Sequence, residues 1–196
     1  MKTLESFPTY LTKLRSTLHF LLRERVDQNT QNLQRGLPPF ILKEFLAAHP
    51  LDASIPTEHG GRGSHPEEIL PVLDAVAYES LPLGLIMGIS GALFAEPMAK
   101  YAAPEVAAPV FRRIREDGAL GGLMITEPDY GTDALNMQTN YRSDGDSYRI
   151  AGEKHWAGLS GWADYWLVTA RRRGDDGALT RELGRASCRE RVCQYV

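Results

Sequence analysis

Two threonine hydroxyls, a tyrosine, three carboxylates and a glycine fall in the run Thr126-Glu127-Pro128-Asp129-Tyr130-Gly131-Thr132-Asp133, directly after the apolar residues Gly121 to Ile125. The apolar run predicts a short buried strand, and Pro128 cannot extend its hydrogen-bond ladder. Gly131 lets backbone come close to a ligand. A strand that delivers a hydroxyl, a glycine and a second hydroxyl into a turn could cradle an anion or a cofactor. Alone, the motif reads as a plain strand-to-loop turn. Few other residues invite chemistry. His59 sits in Ile55-Pro56-Thr57-Glu58-His59-Gly60-Gly61 with no acid or nucleophile spaced to use it, and reads as a loop histidine. His49, before Pro50, reads as a helix-end residue. Both cysteines, Cys188 and Cys193, fall in the last nine residues. Their spacing without a nearby histidine makes a poor metal site, and no metal centre is expected.

The elements that must position this turn divide into two kinds. Thr9 to Val26 carries Leu11, Leu14, Leu18, Leu21 and Leu22 at steps of three and four, the stripe of an amphipathic helix. Gln28 to Gly36 is polar, and Gly36-Leu37-Pro38-Pro39 breaks the chain. Phe40 to Ala48 predicts a short helix. Ser64-His65-Pro66-Glu67 predicts a capped helix start with Ser64 as the cap, and Ile69, Leu73, Val76 and Ala77 as the buried face. Leu83 to Tyr101 is apolar almost all round, which predicts a helix covered by others, with Gly84, Gly88 and Gly91 on one side. Pro104 to Asp117 predicts a last helix, with Val106, Val110 and Ile114 inward and Gly118 ending it.

After residue 119 the period changes to that of strands. Leu135 to Tyr141 and Tyr148 to Ile150 flank Ser143-Asp144-Gly145-Asp146, a hairpin signal. Lys154 to Ala157 predicts a further strand, and Tyr165 to Ala170 a buried one. Gly174-Asp175-Asp176-Gly177 predicts a turn.

The chain has 196 residues and a formal net charge of −3, so nothing in its charge points to nucleic acid. The longest uncharged apolar run, Leu81 to Ala95, is too short to span a bilayer. The start, MKTLESFPTY, has no secretory apolar core, and a cytoplasmic location is the default expectation.

The motifs TEP-x-x-G-T-D, DGDSYRIAGEKHW and ADYWLVTAR, with IPTEHGGRG upstream, occur together and in one order. In that order the chain resembles the acyl-CoA dehydrogenase family over roughly residues 40 to 173. The resemblance implies an α+β fold: an N-terminal helical bundle followed by an incomplete β-barrel-like middle domain. It also implies FAD as cofactor, an acyl-CoA substrate, an electron-transfer flavoprotein as acceptor, and a homo-oligomer at full length. By the same resemblance, Leu123 to Thr132 line the FAD, with Ile125 and Thr126 offering backbone and hydroxyl groups to the pyrimidine side. Gly131 and Thr132 lie near the diphosphate and the thioester arm, Thr132 standing where the family usually has serine. Trp156 matches the family tryptophan beside the flavin, and Leu85 to Phe94 borders the acyl pocket. One departure stands out. Two residues after that tryptophan the family has a threonine or serine hydroxyl at flavin N5, and here the position is Gly158.

The family base comes from a later helical domain, so no catalytic residue is assigned within this chain, and Glu127 is read as a positioning group. Gly184 to Cys193 resembles one reading frame of a sequencing-library adapter. The expected division is therefore a helical domain over 1–118, a truncated β domain over 119–183 and a non-native tail over 184–196. As given, the polypeptide is expected to be inactive alone. Two alternatives keep the residues but change the outcome: a related flavin oxidase or monooxygenase, or a short flavin-binding or interaction protein without catalysis.

Overall fold

The computed structural model describes residues 4–27, 36–144, 147–174 and 177–189, with backbone only over 180–189. The polar stretch 28–35, the turn residues 145–146 and 175–176, and Cys193 lie outside the described residues. The chain divides into two compact units, 1–119 and 120–196.

In the first unit, helix α1 (Phe7–His19) starts where the Ser6 hydroxyl accepts from the Thr9 amide and continues through a π-helical turn, Phe20–Glu24. Leu14, Leu18, Leu21 and Leu22 are buried as their spacing predicts, while Leu11 is half-buried and Tyr10 joins the core. The Tyr10 hydroxyl donates to the carbonyls of His49 (3.0 Å) and Pro50 (3.3 Å). Burial, then the Asp52 carboxylate, pushes that phenol well above its ordinary range. Helix α2 (Pro39–Ala47) ends at His49, whose left-handed backbone turns the chain.

Helix α3 (Pro66–Glu79) begins one residue later than its cap signal suggests. Ser64 has a left-handed φ of 58° and does not cap, whereas His65 has the extended backbone a cap position needs. The buried face is also shifted, to Val72, Ala75 and Val76, leaving Ile69, Leu73 and Ala77 half-buried.

After Ser80 the chain runs as α4 (Leu81–Met87), a π-helical segment (Gly88–Ala95) and α5 (Glu96–Tyr101). This continuous stretch has 21 residues and is, by length and composition, long and apolar enough to cross a membrane, though half of it is buried within the unit. The expectation of too short a run stopped at Ala95, and the helix does not. Nor is the stretch covered all round, since Leu81, Leu85 and Leu93 are exposed. Gly84 sits against Ala77 and Gly91 against Ser54, where any added Cβ would clash, so tight helix packing accounts for both; Gly88 faces open space. Helix α6 (Pro104–Asp117) buries Ala107, Val110, Phe111 and Ile114 but exposes Val106, and Gly118 ends it with φ 67°. Its Arg115 forms a two-pronged pair with Asp52, at 2.9 and 3.2 Å.

The second unit is an open sheet built on one strand. Strand β4 (Tyr165–Arg173) is buried from Tyr165 to Ala170, which is why its sequence is nearly all apolar. Strand β1 (Gly121–Met124) runs parallel to its first half, pairing Gly121 with Tyr165 through Met124 with Val168. Strands β2 (Asn140–Asp144) and β3 (Ser147–Ala151) form the expected hairpin, and β2 continues the same edge of β4 through Asn140 and Arg171. Strand β5 (Leu179–Arg189) covers the other edge, antiparallel. Two differences stand out. The stretch before β2 is a helical turn at Ala134–Asn136 rather than strand, and 154–157 pairs with nothing in the sheet. The glycine at 122 is required by packing: a Cβ there would lie 2.4 Å from the Trp166 ring. The sheet does not close into a barrel.

Candidate functional site

Strand β1 ends at Met124, and the chain then turns on itself. The Glu127 amide donates to the Tyr130 carbonyl (3.1 Å), and the Tyr130 amide returns a bond to the Glu127 carbonyl (3.3 Å). Pro128, at the turn's outer side, has no amide to leave unpaired. Opposite lies the segment that follows β3. The His155 amide donates to the Thr126 carbonyl at 2.8 Å, so Thr126 and His155 are held as neighbours, one residue before Trp156.

Beneath this contact is a buried ion pair. Lys154 and Glu127 meet at 3.0 Å, each side chain only 4% exposed. The Glu127 carboxylate also accepts from the amides of Gln138 (2.6 Å) and Thr139 (2.8 Å). Burial would push its carboxyl up, but the donors from Thr139, Gln138 and Lys154 outweigh burial and hold it below the ordinary carboxylate range. Burial lowers the Lys154 ammonium, an effect that Glu127 opposes. A carboxylate so engaged is a weak proton acceptor, in keeping with Glu127 as a positioning group.

Residues 156–160 alternate although they form no strand. Ala157 and Leu159 pack against Ala163, Trp166 and Val168. Trp156, Gly158 and Ser160 therefore face outward. Trp156 is 89% exposed and its backbone is left-handed, with φ 57°. It is neither a core aromatic nor a strand residue. Gly158 is exposed and does not need a left-handed φ, so its backbone would accept a side chain.

The structure thus ties the backbone of Ile125 and Thr126 to Lys154 and His155, the two residues before Trp156. Leu123 is half-buried within β1, with Ile125 exposed at its end. Gly131 and Thr132 are exposed in the turn, and a Cβ at Gly131 would meet nothing within 4 Å. No described hydrogen bond ties Gly131, Thr132 or Gly158 to the Thr126–His155 contact. Lys154 escaped the sequence reading, which placed it in a strand. No spacing in the sequence links Lys154 to Glu127, 27 residues away, and only the fold joins them. Among the described residues no cluster of potential ligands could hold a metal ion.

A family model for the acyl-CoA dehydrogenase middle domain matches residues 122–184. An L-prolyl-[peptidyl-carrier protein] dehydrogenase of Pseudomonas fluorescens is 30% identical over 133 residues, which is 66% of this chain and 35% of that protein. A protein of Mycobacterium leprae described as the probable acyl-CoA dehydrogenase fadE25 is 26% identical over 185 residues, 87% of this chain and 44% of its own length. The chain thus spans less than half the length of these curated relatives. Among solved structures, a glutaryl-CoA dehydrogenase from Mycobacterium smegmatis in complex with FADH2 superposes with a TM-score of 0.76 at 20% identity, covering 95% of this chain and 46% of that one. The fold, the middle-domain match and these relatives agree: the chain resembles the acyl-CoA dehydrogenases over most of its length, and residues 122–184 match that family's middle domain.

Proposed function

We propose that this chain is the flavin-holding front part of an FAD-dependent dehydrogenase that oxidises the α,β bond of an acyl-CoA thioester. The observation that carries the proposal is Trp156. A large aromatic held out of the core by a left-handed backbone gains nothing within the chain itself, and would gain by packing on a flat ring. The residues present fit such a group. Leu123, Ile125 and Thr126 would hold its pyrimidine side, Gly131 and Thr132 its diphosphate and the thioester arm, and Trp156 and Gly158 the ring. When bound, FAD supplies the hydride acceptor, and the chain supplies orientation and exclusion of water. The structural relative with FADH2 supports this cofactor.

The base that takes the α-proton is proposed to lie outside these residues. Glu127, the acid of the signature turn, has its carboxylate committed to Gln138, Thr139 and Lys154. The family match ends at residue 184, where the adapter-like run begins, which supports the reading of 184–196 as a non-native tail. On this reading the parent protein passes electrons to an electron-transfer flavoprotein, works as a homo-oligomer, and this chain alone does not turn over substrate.

Gly158 favours a second reading, in which oxygen is the acceptor, because the hydroxyl the family places at the flavin is absent. One experiment addresses both readings. The full gene from the source DNA is expressed and mixed with acyl-CoA thioesters without oxygen, and then with air. Bleaching of the flavin by thioester followed by slow reoxidation supports the dehydrogenase, and fast reoxidation supports the oxidase. No bleaching by any thioester contradicts both.

A further inference from the structure

We infer that the buried Lys154–Glu127 pair positions Thr126 and Trp156 for a ring-shaped ligand, with Lys154 as the positioning residue. The inference rests on the flavin reading above. The Lys154 ammonium is surrounded by the Ile125 carbonyl (2.9 Å), the Glu127 carboxylate (3.0 Å), the Thr169 hydroxyl (3.3 Å) and the Met137 sulfur (3.5 Å). These acceptors come from the turn after β1, the approach to β2 and the centre of β4. An ammonium has only three protons, so its donors are fully used and it is not free to act as a nucleophile or acid.

Stability alone does not account for such a pair. Removing two charges from water is costly, and apolar residues of similar volume often replace a buried pair without loss. What an apolar replacement could not do is hold the Ile125 carbonyl. That bond and the next one along, from the His155 amide to the Thr126 carbonyl, are consecutive on both segments. Together with the Glu127 carboxylate they clamp 125, 126 and 127 onto 154 and 155. The group left outward is the Trp156 ring, one residue beyond the clamped His155, and its distance along the chain from Thr126 is set by the clamp. Trp156 has no packing of its own to fix it, being 89% exposed, so its placement depends on the residues immediately before it. The depressed Glu127 carboxyl agrees with a carboxylate that stays charged at neutral pH, while burial lowers the Lys154 ammonium and Glu127 opposes that.

The test compares the full chain with Lys154→Met and with the double variant Lys154→Met/Glu127→Gln, which leaves no unpaired buried charge. Two readouts are taken: FAD affinity with the visible circular dichroism of the bound flavin, and amide hydrogen exchange without FAD. The expected result is a folded double variant with an intact β1–β4 ladder. Its amides at 125–127 and 152–156 should exchange about tenfold faster or more. Its FAD affinity should fall roughly tenfold, with an altered dichroism band. The inference is overturned if the double variant keeps FAD affinity within about twofold and an unchanged band. It is equally overturned if both variants fail to fold, since the pair is then a general folding determinant. If the unsubstituted chain itself binds no FAD, the flavin reading fails, and the exchange arm decides the inference alone: selective loosening of the two segments supports it, and unchanged exchange overturns it.

Discussion

Replacing Trp156 with glycine separates a ligand-facing tryptophan from a structural one. A buried tryptophan costs about 3–5 kcal/mol when truncated, because burial is lost and a cavity is left. Trp156 is 89% exposed, so almost none of that is at stake. Its left-handed φ of 57° strains any residue with a Cβ by roughly 1 kcal/mol, which glycine relieves. Against that, glycine loosens the unfolded chain by about 0.5–1 kcal/mol. The two nearly cancel, so unfolding free energy should change by less than about 1 kcal/mol. Flavin binding should suffer more, since stacking on an aromatic side chain is worth about 1–3 kcal/mol, or about fivefold to a hundredfold in affinity. Urea unfolding followed by far-ultraviolet circular dichroism gives the first quantity, and FAD titration gives the second. A loss of about 3 kcal/mol in stability with unchanged FAD affinity would refute the reasoning, because Trp156 would then be a core residue.

Other positions make independent predictions. The Glu127 carboxyl titrates lower in the folded than in the unfolded chain. Its contribution is therefore present above the unfolded value, near pH 4, and is lost as pH falls through the folded value. Glu127→Gln should flatten the acid side of a stability–pH curve, and an unchanged curve would contradict the assignment. Gly122→Ala places a Cβ 2.4 Å from the Trp166 ring and should destabilise by about 1–3 kcal/mol in chemical denaturation. Gly158→Ser should leave stability within about 0.5 kcal/mol, since the site is exposed with an ordinary backbone, yet shift the visible spectrum of bound FAD.

Much of this arrangement was legible in the residues. Helix periodicity located α1 and α6, because a stripe of leucines or alternating apolar and charged residues has one stable solution on a helix. The β4 strand was legible because continuous burial demands continuous apolar character. Edges were harder. Ser64 looks like a cap by type, but the turn from Gly60 to Gly63 holds it left-handed and passes the cap position to His65. Lys154 to Ala157 reads as a strand in the sequence, and the structure has an inward–outward alternation beside it, over 156–160. That alternation serves the packing of Ala157 and Leu159 on Trp166 rather than any ladder. The candidate site was legible as motifs, while the Lys154–Glu127 clamp was not. A long-range ion pair leaves no periodicity, and only the fold brings the two charges to 3.0 Å.

On the proposed reading, residues 123–158 make a flavin cradle. Its most direct test is titration of the 196-residue chain with FAD, followed by tryptophan fluorescence and visible circular dichroism of the flavin. Saturable quenching that Trp156→Gly weakens is expected, together with an induced dichroism band. A flavin that stays optically symmetric and leaves tryptophan emission unchanged at every concentration would contradict it.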